Sequence, residues 1–245
     1  MFDDFPKTRP VLPEGIRRIY VTHYKENRSG QSPASFLSQK LEGWLHRQVA
    51  KDLEPGGGAK TTLEIGAGTL NQLEHEPEVG PYDIVEPFQE LYADSRYLPR
   101  VRHVYRDIAD VPAGARYDRI TSVATFEHVC NLPEVLARSG LLLSERGTLR
   151  SSIPSEGTPL WTLGWMLTTG LEFRIRHGLD YGLLLKHEHV NTAREIEGLL
   201  RYFYREVTGS VLGLSRGISF YQFYRCARPE LDRCQAYLEA LAAPG

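Results

Sequence analysis

The chain has 245 residues, of which 41% are hydrophobic, and this is enough for one sizeable buried core. It contains 29 lysine and arginine residues and 31 aspartate and glutamate residues, so its formal net charge is −2. Because no excess positive charge is available to bind a phosphate backbone, the composition argues against a nucleic-acid-binding protein. Three cysteines without metal-ligand spacing indicate reduced thiols and a cytoplasmic protein.

Neither the N-terminus nor the most apolar stretch of the sequence indicates export or membrane insertion. Residues Met1–Pro6 are acidic and are not followed by the apolar run of a secretory signal. Leu160–Leu171 is interrupted by polar residues and is shorter than the ~20 residues that a membrane span needs, so we predict a buried helix or a lid helix there. The sequence leaves homo-oligomerisation open.

The segment Glu54–Gly58 is rich in proline and glycine and separates two unlike regions. Before it, apolar residues recur at spacings of three and four, which predicts a helix from Ser32 to about Leu53. We therefore predict an N-terminal helical segment at residues 1–55 that packs on the core. Residues 56–228 are predicted to form the main α/β unit, and residues 229–245 a C-terminal helix or tail, within one domain overall.

After this segment, short apolar runs alternate with helical patterns, which is typical of a mostly parallel sheet with helices on both faces. The predicted strands are Thr61–Ile65, Tyr82–Val85, His103–Tyr105, Arg119–Val123 and Thr148–Ile153, followed by a hairpin of Tyr204–Val207 and Ser219–Cys226. Helices are predicted at about Leu132–Ser144 and Thr192–Phe203. The connection Pro154–Val190 is too long for an ordinary loop, so we predict an inserted lid between strand 5 and the last helix.

Three of the predicted strands end in residues suited to binding an adenosine. The first leads directly into Gly66-Ala67-Gly68, where glycine lets the backbone turn sharply and approach a ligand. The second ends at Glu86, whose carboxylate can accept hydrogen bonds from both ribose hydroxyls. The third is followed by Asp107, which can accept from an adenine amino group, and by Ile108, which can pack on the ring. Each feature alone also occurs in turns that bind nothing.

This combination resembles the class I S-adenosylmethionine (SAM)-dependent methyltransferases, and the resemblance runs from about Thr61 to Arg225. The first motif of that family, an acidic residue followed by x-G-x-G-x-G, is matched by Glu64, Gly66 and Gly68, with Leu70 in place of the last glycine. The resemblance implies a Rossmann-like α/β fold with a seven-stranded sheet and an enzyme that converts SAM to S-adenosylhomocysteine.

The fourth predicted strand ends in Ala124–His128, which resembles the family motif that lines the methionine half of SAM. The cofactor-binding residues that we predict are Glu64, Gly66, Ala67, Gly68, Glu86, Pro87, Asp107, Ile108 and Ala124. Two further segments, Tyr20–Arg28 and Ile153–Gly157, resemble enzymes of bacterial polysaccharide and natural-product biosynthesis. This narrower resemblance implies methyl transfer to an oxygen, less favourably a nitrogen, of a sugar or sugar-derived small molecule.

The greatest concentration of groups able to move a proton lies in Lys186–Asn191. If this stretch is extended, His187 and His189 share one side and Glu188 faces the other. Either histidine is a candidate general base, and His128 is a third candidate because it follows the fourth strand. We predict no metal, although a His-x-His pair also occurs in metal sites, and His189 could instead cap the next helix. The predicted substrate-binding residues are His23, Tyr24, Arg174, Arg176 and Glu188.

Two other functions are compatible with a glycine turn followed by an acid. A dinucleotide-dependent oxidoreductase uses the pattern G-x-G-x-x-G/A, but Asn71 stands where that pattern requires a small residue. A SAM-binding protein without catalysis would keep the same glycine turn. A nucleic-acid methyltransferase is disfavoured, because no Asn/Asp-Pro-Pro-aromatic motif follows the fourth strand.

Overall fold

A computed structural model of the chain describes residues 2–17, 43–53, 58–76 and 80–243. In these residues the strands form one seven-stranded sheet in the order β3-β2-β1-β4-β5-β7-β6. The strands are β1 (Thr62–Ile65), β2 (Tyr82–Val85), β3 (His103–Tyr105), β4 (Tyr117–Val123), β5 (Leu143–Pro154), β6 (Tyr204–Ser215) and β7 (Ile218–Pro229). Strands β1 to β5 are parallel, whereas β7 lies antiparallel to both β5 and β6, so the sheet is mixed.

Helices connect the strands and cover the sheet. They are α1 (Gln89–Tyr92), α2 (Leu132–Leu142), α3 (Pro159–Trp165), α4 (Leu171–His177), α5 (Tyr181–Glu188), α6 (Ala193–Phe203) and α7 (Leu231–Ala242). A π-helical turn, Met166–Gly170, joins α3 to α4. Residues 43–50 are also helical, and they lie within the N-terminal helix predicted from Ser32; the predicted start of that helix lies outside the described residues.

The predicted α/β fold with a seven-stranded sheet is confirmed, and the differences concern strand length. Strands β2 and β3 have the predicted bounds, but β5 begins at Leu143 because α2 runs into it without a loop. The two hairpin strands each extend over 12 residues. Most side chains of β6 are exposed, so the sequence there lacks the alternation of apolar and polar residues that marks a half-buried strand.

The two faces of the sheet are covered in different ways. Since successive strand residues point to opposite faces, Leu63 and Ile65 of β1 share a face with Ile120 of β4. These side chains join an apolar core with residues of α2, α6 and α7. This face is therefore closed by hydrophobic packing, which stabilises the fold in proportion to the apolar area that is removed from water.

The opposite face carries a buried ionic network centred on Arg119 of β4. The Arg119 side chain is fully buried and donates from both terminal nitrogens to the equally buried carboxylate of Glu76, with Nη2 at 2.9 Å from Oε1. Its Nε donates to Asp52 Oδ2 at 3.0 Å, and Nη2 reaches the carbonyl oxygen of Val49. Arg150 of β5 also donates to the Val49 carbonyl. Directional polar contacts thus attach helical residues 43–50 to the sheet.

The connection between β5 and α6, predicted as a lid, contains α3, α4 and α5. Leu12 and Ile16 from the N-terminal segment pack against Phe173 of α4 and Leu184 of α5 in a small separate core. Large apolar side chains are exposed on α3, on the π-helical turn and on α4; they are Leu163, Met166, Leu167, Leu171 and Ile175. In the described ranges, no helix is long and apolar enough to cross a membrane.

We expect Arg119→Met to lower the free energy of unfolding by about 3–5 kcal/mol, because it leaves the buried Glu76 carboxylate without its cation. Urea denaturation of the native protein and the variant gives the two free energies of unfolding, and their difference is this cost. The double variant Arg119→Met/Glu76→Gln removes both charges and keeps a carbonyl acceptor for Gln72, which donates to Glu76 at 2.8 Å. It should be more stable than the single variant, and equal destabilisation of the two would contradict a charge-based role.

Candidate active site

The predicted glycine turn lies at the carboxyl end of β1 and has a left-handed backbone. Gly66 has a φ of 70° and Gly68 a φ of 53°, a region that glycine enters without steric cost. A Cβ atom at Gly66 would clash with the side chain of Thr125, which follows β4. The Thr125 hydroxyl donates to the Gly66 carbonyl at 3.3 Å, so the turns after β1 and β4 are in direct contact. Sequence reasoning missed Thr125.

Glu86, predicted to bind a ribose, lies at the end of β2 and faces the glycine turn. Its Oε2 accepts from the Gly68 N–H at 2.8 Å, and its Oε1 accepts from the Phe88 N–H at 3.1 Å. The side chain is only 5% exposed. Each carboxylate oxygen keeps a further lone pair, so Glu86 can hold the turn and still accept from a ligand. The neighbouring Pro87 is exposed.

Asp107 and Ile108 follow β3, as predicted. The Asp107 carboxylate accepts from the Ala109 N–H at 2.8 Å and forms a capping box with Asp110, so it begins a short 3-10 turn. This is the turn-forming role that an aspartate after a strand often has. Asp107 is nevertheless exposed, and one of its oxygens remains for a ligand, whereas Ile108 is buried in the apolar core.

Glu64, predicted to contact the cofactor, has its partner inside the protein. Its side chain is 2% exposed, and the Tyr82 hydroxyl donates to its Oε2 at 2.8 Å. Burial raises the pKa of Glu64 to about 8, which the hydrogen bond from Tyr82 only partly opposes. The carboxyl group is therefore neutral at pH 7. A direct contact between Glu64 and a cofactor stays a prediction.

Ala124, at the end of β4, is the other predicted cofactor-binding residue with a left-handed backbone, with a φ of 47°. Its N–H donates to the Ser152 carbonyl at 2.8 Å, which fixes the end of β4 against β5. A non-glycine residue in this region costs conformational energy and is typical of functional turns. The backbone after Ala124 turns into the short 3-10 helix Phe126–His128.

Three side chains that could bind a metal or move a proton meet beside this turn: Glu127, His128 and His189. One donor atom from each lies within 4.8 Å of the others. The Glu127 side chain is 1% exposed, and its Oε2 has no hydrogen-bond partner among the described residues. Burial raises the pKa of Glu127 to about 7, although His189 opposes the shift. We call these three residues the Glu-His-His cluster.

Both histidines of the cluster are anchored through Nδ1. His128 Nδ1 lies 2.9 Å from the Glu188 carbonyl oxygen, and His189 Nδ1 lies 2.7 Å from Glu156 Oε2. A carbonyl oxygen only accepts, so Nδ1 of His128 carries the proton; the carboxylate of Glu156 favours the same tautomer in His189. In this tautomer both imidazoles keep a lone pair on Nε2. Glu156, which also accepts from the Trp161 indole, was not predicted as a site residue.

The cluster is assembled by contacts between distant parts of the chain. Asn191 is fully buried and donates to the carbonyl oxygens of Phe126 and Val129, which ties the end of the predicted lid to the turn after β4. Arg9 donates to the carbonyl oxygens of His128 and Glu188. The sequence predicted neither Asn191 nor Arg9 as a site residue, because nothing local in the sequence signals either contact.

The remaining predicted site residues lie elsewhere. The extended arrangement of Lys186–Asn191 is wrong, since α5 continues to Glu188 and its helical geometry separates His187 from His189. His187 Nδ1 contacts the Pro10 carbonyl at 2.6 Å. Arg174 and Arg176 are exposed on α4. His23 and Tyr24 lie outside the described residues.

No family model and no curated protein matches this sequence. Among solved structures, the plantazolicin methyltransferase BpumL gives a TM-score of 0.59 at 13% identity, over 87% of this chain and 94% of that one. A SAM-dependent methyltransferase from Thermotoga maritima, described as a possible histamine N-methyltransferase, gives a TM-score of 0.55 at 17% identity, over 86% of this chain and 97% of that one. The CurJ carbon methyltransferase gives a TM-score of 0.52 at 17% identity, over 87% of this chain and 61% of that one. The chain thus has the fold of the SAM-dependent methyltransferases.

Glu64 provides a test of the buried carboxyl group. Its folded-state pKa of about 8 lies above the ordinary value of 4.5, so unfolding releases a proton between these values and stability falls as the pH rises. Glu64→Gln cannot ionise and should become more stable than the native protein across this range, by on the order of a few kcal/mol at pH 8. Urea titrations from pH 5 to 8 measure the difference, with the exposed Glu90→Gln as control. If the free energy of unfolding changes with pH in the same way for Glu64→Gln and for the native protein, the raised pKa is refuted.

Proposed function

We propose that this protein is an enzyme that binds SAM along the carboxyl ends of β1, β2 and β4 and transfers its methyl group to a small molecule. The observation that carries the proposal is the hydrogen bond from the Gly68 N–H to Glu86, which joins an open glycine turn to a carboxylate at the next strand end. In open α/β sheets, ligands bind at the carboxyl ends of the strands where the strand order reverses. Here β1 lies between β2 and β4, so the reversal falls at the glycine turn.

The proposed cofactor lies across these three strand ends and extends toward the end of β3. The ribose hydroxyls donate to Glu86, the adenine lies toward Asp107, and the methionine half lies over the Gly66–Gly68 turn and Ala124. The contact between Thr125 and Gly66 supports this arrangement, because it brings the β1 and β4 turns together under one ligand. The similar fold of BpumL supports it as well, since that enzyme was crystallised with S-adenosylhomocysteine.

The acceptor is proposed to enter beside the Glu-His-His cluster, because Glu127 and His128 lie three and four residues after Ala124. The methyl–sulfonium bond of SAM breaks as a bond forms between the methyl carbon and an acceptor oxygen; S-adenosylhomocysteine leaves and the hydroxyl proton is released. SAM is a strong methyl donor, so the protein mainly aligns the acceptor and handles its proton. Imidazole and carboxylate groups are suited to a hydroxyl acceptor, which supports oxygen over nitrogen. We propose that the acceptor is a sugar or a sugar-derived small molecule.

The sheet supports this function over a dinucleotide-dependent oxidoreductase. The dinucleotide-binding fold has the order 3-2-1-4-5-6 with parallel strands. In this protein β7 is inserted antiparallel between β5 and β6. A SAM-binding protein without catalysis would have the same sheet, so turnover has to be measured separately from binding.

Isothermal titration with S-adenosylhomocysteine tests the cofactor site. We expect one site per chain, and we expect Glu86→Gln to weaken binding by about 1–3 kcal/mol, roughly 5- to 150-fold, because a buried charged acceptor is lost. Glu90→Gln, an exposed glutamate four residues later in α1, is the matched control. An absence of heat with S-adenosylhomocysteine alongside binding of NAD would overturn the proposal, and unchanged affinity in Glu86→Gln would remove Glu86 from the site.

Single-turnover transfer of a radiolabelled methyl group from SAM to a panel of free and nucleotide-linked sugars tests the acceptor side. We expect His128→Gln and His189→Gln each to lower the rate by about 10²–10⁴-fold, the usual contribution of a group that handles a proton. His103→Gln, an exposed histidine on β3, is the control. Native rates in both cluster variants would show that the histidines do not act in the reaction. Binding of S-adenosylhomocysteine without transfer to any acceptor class would favour the non-catalytic function.

A further inference from the structure

We infer that Glu127, His128 and His189 bind one divalent transition-metal ion, such as Zn²⁺ or Co²⁺. Metal binding itself is independent of the proposed methyl transfer, whereas the catalytic role given to the ion below rests on it. The sequence predicted no metal, because the residues come from two segments about 60 positions apart. Folding brings their donor atoms within 4.8 Å of one another.

The donor set is chemically suited to such an ion. Two imidazole nitrogens and one carboxylate are the ligands of open zinc sites and of other divalent first-row metals, and they leave coordination positions for water or substrate. Magnesium and calcium prefer oxygen ligands throughout and are less well matched. The cluster thus has the composition of a site with an exchangeable ligand rather than of a closed structural site.

The surroundings of the histidines have the arrangement that metal ligands require. A metal-binding histidine usually donates its second nitrogen to a carboxylate or a carbonyl oxygen, which fixes the ring and the tautomer. His189 does so toward Glu156 at 2.7 Å, and His128 toward the Glu188 carbonyl at 2.9 Å. Both contacts use Nδ1, so Nε2 is the atom of each ring that would bind the ion. His128 Nε2 lies 3.8 Å from Glu127 Oε1, close enough for the two to share an ion after a small movement.

Glu127 supplies an independent observation. Its carboxyl group is almost completely buried, and Oε2 lacks a hydrogen-bond partner among the described residues. No lysine or arginine of the described ranges forms an ion pair with it. A buried carboxylate oxygen without a hydrogen-bond donor is costly, and a bound cation would reduce that cost.

The spacing of the donor atoms requires only modest adjustment. Tetrahedral ligands at 2.0–2.1 Å from a zinc ion lie about 3.4 Å apart, so atoms now up to 4.8 Å apart must approach by up to about 1.4 Å. Side-chain rotation can supply this movement. The backbones are already held together by Asn191, which joins residues 126 and 129 to the segment that carries His189.

At this position a metal ion would act on the acceptor. Glu127 and His128 lie three and four residues after Ala124, so the ion would border the proposed methyl group, and its open coordination positions could bind an acceptor hydroxyl together with a neighbouring oxygen. With the ion bound, His128 and His189 would act as ligands and not as bases. A bound divalent ion lowers the pKa of an oxygen ligand, which would promote release of the hydroxyl proton to solvent before the oxygen attacks the methyl carbon. A vicinal diol, as sugars contain, fits two adjacent positions.

Titration of chelator-treated protein with Co²⁺, followed by its visible absorption, and calorimetry with Zn²⁺ test the inference. We expect one ion per chain for the native protein and at least tenfold weaker binding in Glu127→Gln and in His189→Gln. Glu156→Gln should weaken binding by about 10–100-fold, since it removes the acceptor that orients His189. His103→Gln and Glu90→Gln are the matched controls and should bind as the native protein does. Circular dichroism establishes that each variant is folded.

The inference is overturned if the native protein binds neither ion at one per chain, or if both cluster variants bind it as tightly as the controls do. S-adenosylhomocysteine titrations on the same samples separate the two proposals. Loss of cofactor binding with native Co²⁺ binding would contradict the proposed function and support the metal site. If chelator-treated protein takes up no metal but still binds the cofactor and transfers the methyl group, the proposed function is supported and the proposed metal site is ruled out.

Discussion

The structure depends first on how the Arg119 guanidinium is neutralised inside the protein. This one group lies in the middle of β4, pairs with Glu76 shortly after the glycine turn, and reaches Asp52 and Val49 in the N-terminal part of the chain. It therefore connects the central strand, the turn region and helical residues 43–50. Burying charge is expensive, so the pairing fixes these elements in one arrangement more strictly than apolar contacts of the same size would.

This polar face complements an apolar one and leaves the strand ends available for chemistry. Leu63, Ile65 and Ile120 close one side of the sheet with helices, and the ionic network closes the other. Neither layer contains Gly66, Gly68, Glu86 or a member of the Glu-His-His cluster. Glu127 can consequently keep an acceptor without a partner among the described residues, while the two layers provide the stability of the fold.

The parts of the molecule that the sequence predicts are those with local causes. The bounds of β2 and β3, the glycine turn and Glu86 follow from short apolar runs and fixed spacings. The Glu-His-His cluster has no such cause, because its members are joined by backbone contacts between segments far apart in sequence, notably through Asn191. The arrangement considered for His187 and His189 required an extended stretch, yet the stretch before His189 ends a helix. Its apolar run is too short for periodicity to separate helix from strand.

Arg9 gives the candidate site an unusual dependence on both halves of the polypeptide. Its guanidinium binds carbonyl oxygens of His128 and Glu188, residues 119 and 179 positions further along the chain. Contacts of such separation form only after the entropy of closing a very long loop has been overcome. During synthesis, Arg9 cannot complete these contacts until Glu188, 179 positions later, has been added, so the histidines become correctly placed at a late stage of folding.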